Sequence, residues 1–159
     1  GSNTSNTKEP SAPAAVGATV KDKTASYKVI SADKKQPAVA YTKAIKKNAS
    51  SVTVPDKIKV NGVTYQVKSI APKAFANKKK LKKITIGKNV TSIGKQAFAG
   101  CKKLKKITIK STKLKSGAIG KNAFKGTAKN LVVKVPRKQY RAYKKFLKKK
   151  GNKTVKVTK

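Results

Sequence analysis

Three stretches of the chain share one spacing. Residues 70–86 read IAPKAFANKKKLKKITI, residues 93–109 read IGKQAFAGCKKLKKITI, and residues 119–135 read IGKNAFKGTAKNLVVKV. Laid over one another without gaps, Ile70, Ile93 and Ile119 coincide, then Ala74, Ala97 and Ala123, then Phe75, Phe98 and Phe124. Ile84 and Ile107 match Val133, while Ile86 and Ile109 match Val135. The period is 23 residues, then 26. A unit this short cannot enclose its own apolar side chains, so each copy must stack on a neighbour. Fixed apolar positions at such a period constrain the chain to a solenoid. In LKKITI, Leu81, Ile84 and Ile86 point inward, and the segment recurs at Leu104, Ile107 and Ile109. The third copy is irregular. Asn130 stands where leucine is expected, and Leu131 is expected to shift inward to compensate.

The flanks carry other signals. Residues 1–16, GSNTSNTKEPSAPAAV, are mostly Ser, Thr, Asn, Pro and Ala and are expected to be a disordered linker. Residues 17–69 read as short strands. ASYKVIS and AVAYTKA alternate in part around the turn ADKKQP, and SSVTVP sets Val52 and Val54 on one face. Asn61-Gly62 lies between two alternating runs and predicts a tight hairpin, because both central residues of a type I′ turn need positive φ. The region is expected to form a β cap over the open end of the stack, where a terminal repeat would otherwise leave apolar surface in water. Residues 70–136 are the three repeats. In residues 137–159, RKQYRAYKKFLKKK places Tyr140, Tyr143, Phe146 and Leu147 at helical spacing, with Gly151 set for the C′ position. The helix is read as closing the far end, with a last strand in KTVKVTK. A basic amphipathic helix could instead lie on a membrane or a partner. The fold class expected is a β-rich solenoid with a minor helical part.

Residues 93–109 resemble the BspA-like, or Treponema pallidum type, leucine-rich repeat, whose signature is roughly I-x-x-x-A-F-x-x-C-x-x-L-x-x-I-x-I. Ile93, Ala97, Phe98, Cys101, Leu104, Ile107 and Ile109 fill every fixed position. Residues 70–86 depart only at Lys78, and residues 119–135 at Thr127 and Asn130. Asn89 falls where leucine-rich repeats place an asparagine that bonds loop backbone. The lysine-heavy flavour and the tail YRAYKKFLKKKG resemble secreted or wall-associated proteins of Gram-positive bacteria. The resemblance implies an extracellular setting, secreted or cell-wall associated, and adhesion to host or neighbouring cells.

Charge narrows the function. The 159 residues carry 42 Lys and Arg against 4 acids, a net of +38, and only Arg137 and Arg141 are arginine. Self-repulsion at this charge works against a compact state, so bound anions should stabilise it. There is no histidine, methionine or tryptophan, and no apolar run long enough to span a membrane. No signal peptide is visible, and a monomer is expected. Cys101 is the only cysteine, so no internal disulfide can form. Its slot belongs to the core, which points to a buried inert thiol. Lys102 and Lys103 would lower its pKa only if it were exposed.

Catalysis finds little support. Glu9 lies in the linker, while Asp22, Asp33 and Asp56 are scattered through the cap, so no pair is set for carboxylate chemistry. No serine has a histidine partner, and no cluster of Cys and His can ligate zinc, so neither cofactor nor metal is expected. The favoured reading is a non-catalytic surface or secreted binding module. Its candidate face comprises Lys83, Thr85, Lys106, Thr108, Lys110 and Lys134, the outward positions of the stacked strands. Its expected partners are anionic cell-wall or host glycans, or host extracellular proteins. Two alternatives stand beside it: an accessory or spacer module of a larger secreted enzyme, and a non-specific nucleic-acid binder. Specific readers of bases favour arginine and stacking aromatics, and the aromatics here sit at core spacing. The plain alternative is that the lysines only solvate the surface.

Overall fold

The computed structural model describes residues 12–159. The strands are β1 (Thr19–Lys21), β2 (Ala25–Ser31), β3 (Ala38–Ala44), β4 (Ser51–Val54), β5 (Lys57–Val60), β6 (Val63–Ile70), β7 (Lys83–Ile86), β8 (Ser92–Ile93), β9 (Lys106–Ile109), β10 (Val132–Lys134) and β11 (Lys156–Thr158). One helix, α1 (Tyr140–Leu147), precedes the last strand.

Each LKKITI segment forms a short strand because two inward isoleucines satisfy one rung of the core. Five such rungs make a parallel sheet in the order β11-β10-β9-β7-β4. Val52, Ile84, Ile107, Val133 and Val157 lie in one register across it. The sheet therefore reaches past residues 70–136 at both ends, since β4 opens it and β11 closes it. Asn130 is exposed and Leu131 fully buried, so the irregular third copy recovers its leucine by the expected shift.

A second wall forms where Tyr41 of β3, Ile70 of β6 and Ile93 of β8 pair in parallel, and Ile119 bridges to Ile93. A third wall is the turn that carries the Ala-Phe dipeptides. There the Phe75 N–H donates to Ala97 O at 2.8 Å, the Phe98 N–H to Ala123 O at 2.9 Å, and the Phe124 N–H to Lys150 O at 2.8 Å. The rungs approach closely at the Ile-Gly step. A Cβ on Gly94 would lie 2.3 Å from the backbone N of Pro72, and one on Gly120 would lie 2.3 Å from that of Lys95. No side chain fits there.

The walls enclose a column of rings. Tyr41 stacks on Phe75 at 5.0 Å, Phe75 on Phe98 at 5.4 Å, and Phe98 on Phe124 at 5.8 Å. Tyr27 meets Tyr41 edge-on at 5.3 Å and 84° and ends the column. Both tyrosines come from the N-terminal cap, in which β1, β2 and β3 run antiparallel. The cap also holds the β5–β6 hairpin, whose Asn61 and Gly62 have φ of 49° and 78°, as a type I′ turn requires.

The linker expectation covers residues 1–16, of which 1–11 lie outside the described residues. Residues 12–16 are held rather than free: the Ala14 N–H donates to the Tyr65 hydroxyl at 2.9 Å, and Ala14 packs on the core. At the other end, a turn of 3-10 helix at Arg137–Gln139 leads into α1. Tyr143 and Leu147 are buried by it, with Tyr140 and Phe146 half-buried against the core. The Tyr143 hydroxyl donates to Ser111 O at 2.9 Å and accepts from the Leu114 N–H at 3.0 Å. The helix ends at Leu147 with Lys148 as its cap, so Gly151 does not take the expected C′ position. It closes the following turn, at φ 106° against the backbone of Lys125.

Candidate functional site

The outward positions of the parallel sheet form two rows. One runs Ser51, Lys83, Lys106, Val132, Lys156, and the other runs Thr53, Thr85, Thr108, Lys134, Thr158. The structure brings Lys83 and Lys106 side by side in direct register, both exposed. Thr85 and Thr108 are paired in the next row and half-buried. Lys134 belongs to the threonine row beside Thr108, and Val132 occupies its neighbour's place. Lys110 is exposed one residue past β9, its N–H bonded to Ile86 O at 2.9 Å. The face is therefore cationic at Lys83 and Lys106 and broken at β10, where Val132 stands.

The register itself does not shift: Leu131 and Val132 stand where the second copy has Lys105 and Lys106, so two charges are lost where the core regains its leucine. A denser group of charges gathers in the turn ahead of each strand. Lys82, Lys102, Lys103 and Lys105 line one cleft with Ala128 and Asn130. The signal was the recurrent Lys-Lys doublet before each leucine, Lys79-Lys80 and Lys102-Lys103.

The described carboxylates serve the backbone. One oxygen of Asp22 accepts from the Thr24 N–H, the Thr24 hydroxyl and the Ala25 N–H. Asp33 accepts from the Lys35 N–H, and Asp56 from the Lys88 N–H at 2.7 Å. The Asn89 amide donates to Asp56 O at 3.0 Å, which is the loop bond the repeat resemblance implied. Cys101 is fully buried, and its thiol donates to Phe75 O at 2.9 Å. Burial pushes that thiol up to about 11, with the backbone and charge of Lys78 pulling weakly the other way. Among the described residues no three metal-ligating side chains come together, and no helix is long and apolar enough to cross a membrane.

These features define a short leucine-rich repeat solenoid with a β cap at one end and a helical cap at the other. The model for the BspA type leucine rich repeat region matches residues 68–157, and the chain belongs to that family. A leucine-rich cell surface protein from Faecalibacterium prausnitzii has a similar fold, with a TM-score of 0.56 at 23% identity, covering 76% of this chain and 37% of that one. A leucine-rich repeat protein from Bacteroides ovatus matches with a TM-score of 0.56 at 23% identity over 75% of this chain and 38% of that one. The T. pallidum leucine-rich repeat protein matches at 20% identity and a TM-score of 0.53, over 87% of this chain and 63% of that one. The chain thus spans well under half the length of the first two of these structures. No curated protein matches it.

Proposed function

We propose that the chain is a non-catalytic binding module that holds anionic polymers at the cell surface or outside the cell, through the lysine-rich side of its repeat stack. The observation that carries this reading is the direct register of Lys83 on Lys106, two exposed like charges on adjacent parallel strands. Rungs about 4.8 Å apart set a repulsion of roughly 0.9 kcal/mol for such a pair even at the dielectric of water. An anion lying across both removes that cost. With a net charge of +38, the rest of the surface supplies attraction from all sides. The extracellular placement follows the family and the cell-surface protein of similar fold. Partners of the right chemistry are acidic cell-wall or host glycans and acidic extracellular proteins. Nucleic acid would bind by charge alone, without sequence preference.

The test is binding to heparin and to teichoic acid at physiological salt, repeated as salt is raised. Affinity should fall steeply, as charge contacts exposed to solvent are screened within about 8 Å. Replacing Lys83, Lys106, Lys110 and Lys134 together by glutamine should lower both affinity and salt dependence. Absence of binding by the unaltered chain at physiological salt would leave the lysines a solvating role only.

A further inference from the structure

The turns that lead into the strands are charged on every rung. Lys46 and Lys47 precede β4, Lys79 and Lys80 precede β7, and Lys102 and Lys103 precede β9. Lys129 precedes β10 and Lys153 precedes β11, and every one of these lysines is exposed. Backbone hydrogen bonds stack the turns over one another. The Lys82 N–H donates to Ser50 O at 2.8 Å, the Lys105 N–H to Lys82 O at 3.0 Å, and the Val132 N–H to Lys105 O at 2.8 Å. The Thr154 hydroxyl donates to Lys129 O at 2.8 Å and brings the last turn into line. One cleft lies along this edge and joins Lys82 and Lys105 to Lys102 and Lys103. The strand face, by contrast, has threonine, serine or valine at most of its outward positions.

We infer that this turn edge is the seat of a linear polyanion that runs along the solenoid axis, across the strands rather than parallel to them. The inference rests on the polyanion reading above and gives the ligand a place and a direction. Five rungs about 4.8 Å apart make an edge about 19 Å long. The ligand class is a flexible, base-free chain of fixed anionic groups, of which a sulfated glycan is the form chosen here. Lysine ammonium groups on long flexible stems make adaptable point-charge contacts and do not demand one stereochemistry. The cleft around Lys102 offers Ala128 and Asn130 as its uncharged lining, with no aromatic ring for a base to stack upon.

The experiment uses the whole chain and heparin oligosaccharides of graded length at physiological salt. An edge variant carries Lys79→Gln, Lys80→Gln, Lys102→Gln and Lys103→Gln. A cap variant carries Lys21→Gln, Lys28→Gln, Lys57→Gln and Lys59→Gln, exposed positions on β1, β2 and β5, so the charge removed is the same. Circular dichroism first establishes that both remain folded, as expected for exposed positions. The edge variant should lose about tenfold or more in affinity, and its log–log salt slope should fall by roughly 0.7 per lost contact, the value for a single nucleic-acid strand. The cap variant should lose about threefold or less. Affinity of the unaltered chain should rise with oligosaccharide length until the ligand spans the edge, then level off. Equal losses from the two variants would overturn the edge assignment and leave binding to total charge. Failure of the unaltered chain to bind at all would overturn the polyanion reading itself. A single-stranded oligonucleotide of equal charge that binds as tightly, and is lost equally on the edge variant, would overturn the ligand class.

Discussion

Phe98 sits at the centre of the ring column, and its removal tests the stacked core most directly. The side chain is fully buried. Its ring lies 5.4 Å from that of Phe75 and 5.8 Å from that of Phe124, with planes 8° and 6° apart. Truncating a buried phenylalanine to alanine costs about 3–5 kcal/mol, because transfer energy is lost and a cavity remains. Each ring pair adds about 0.5–1.5 kcal/mol beyond the area it buries. Phe98 has a ring on either side in a wall-bound column that cannot collapse inward, so Phe98→Ala should fall at the upper end, about 5 kcal/mol. With a urea slope of roughly 2 kcal/mol per M, the unfolding midpoint should drop by about 2.5 M. Such a loss is a large part of the stability of an ordinary domain. Phe98→Leu, which keeps most of the volume and gives up the rings, therefore serves as the second measurement, with an expected loss of about 1–2 kcal/mol. Phe124 has one aromatic neighbour, so Phe124→Ala should cost about 1 kcal/mol less than Phe98→Ala. A loss below 1 kcal/mol for Phe98→Ala would refute the column as a source of stability.

Three further outcomes follow from the same structure. Cys101 keeps its proton in the folded state up to about pH 11, whereas an ordinary thiol loses it near pH 9. The thiol's contribution should thus be complete below pH 9 and fade as pH rises to 11, so the stability gap between the unaltered chain and Cys101→Ala should narrow over that window in urea melts. A constant gap would contradict the burial of the thiol. Tyr143→Phe leaves Ser111 O and the Leu114 N–H without their buried partner, and should cost about 1–3 kcal/mol by urea titration. A neutral outcome would mean that α1 is not pinned through that hydroxyl. Gly120→Ala places a methyl group 2.3 Å from the Lys95 backbone, so it should destabilise by about 1–3 kcal/mol in thermal melts, and a tolerated alanine would show that the rungs are wider apart than described.

The repeats were legible because their period fixes which residues must face inward. Phe75, Phe98 and Phe124 form one column because they share one register, and no other arrangement buries all three. The hairpin at Asn61-Gly62 was equally readable, since the backbone demand of the turn is written in two residues. What stayed hidden was set by contacts between distant segments. Nothing in SSVTVP marks β4 as the first rung of a parallel sheet, because it lacks the Ala-Phe dipeptide that identifies β7, β9 and β10. Tyr41 extends the ring column from a strand with no repeat signature, and its role depends on pairing with Ile70. The glycine shared by the Ile93 and Ile119 repeats was visible, but the close approach that requires it exists only once the rungs are stacked. Lys83 and Lys106 are exposed on adjacent strands, where the alternation of KKITI puts them. The charged row stops at Val132, which stands opposite Lys106 in the same register that the gap-free alignment gives it. The clustering of the charged turns emerges only once the repeats stack, because alternation along a strand says nothing about the loop before it.

The edge-on ring of Tyr27 gives the stack a direction of growth. A flat ring at that end would offer its face to another phenylalanine, whereas a ring turned by 84° presents its rim and leaves no platform. New coils placed upstream of Tyr27 would have nothing to continue. The interior is different, because residues 70–92 make one complete repeat whose ends differ by one rung. Duplicating that segment would lengthen the molecule by about 4.8 Å and carry another Lys-Lys doublet with it. The reach of the charged edge can therefore be altered by copying a single unit of 23 residues, while both caps and every ring contact at the ends stay unchanged.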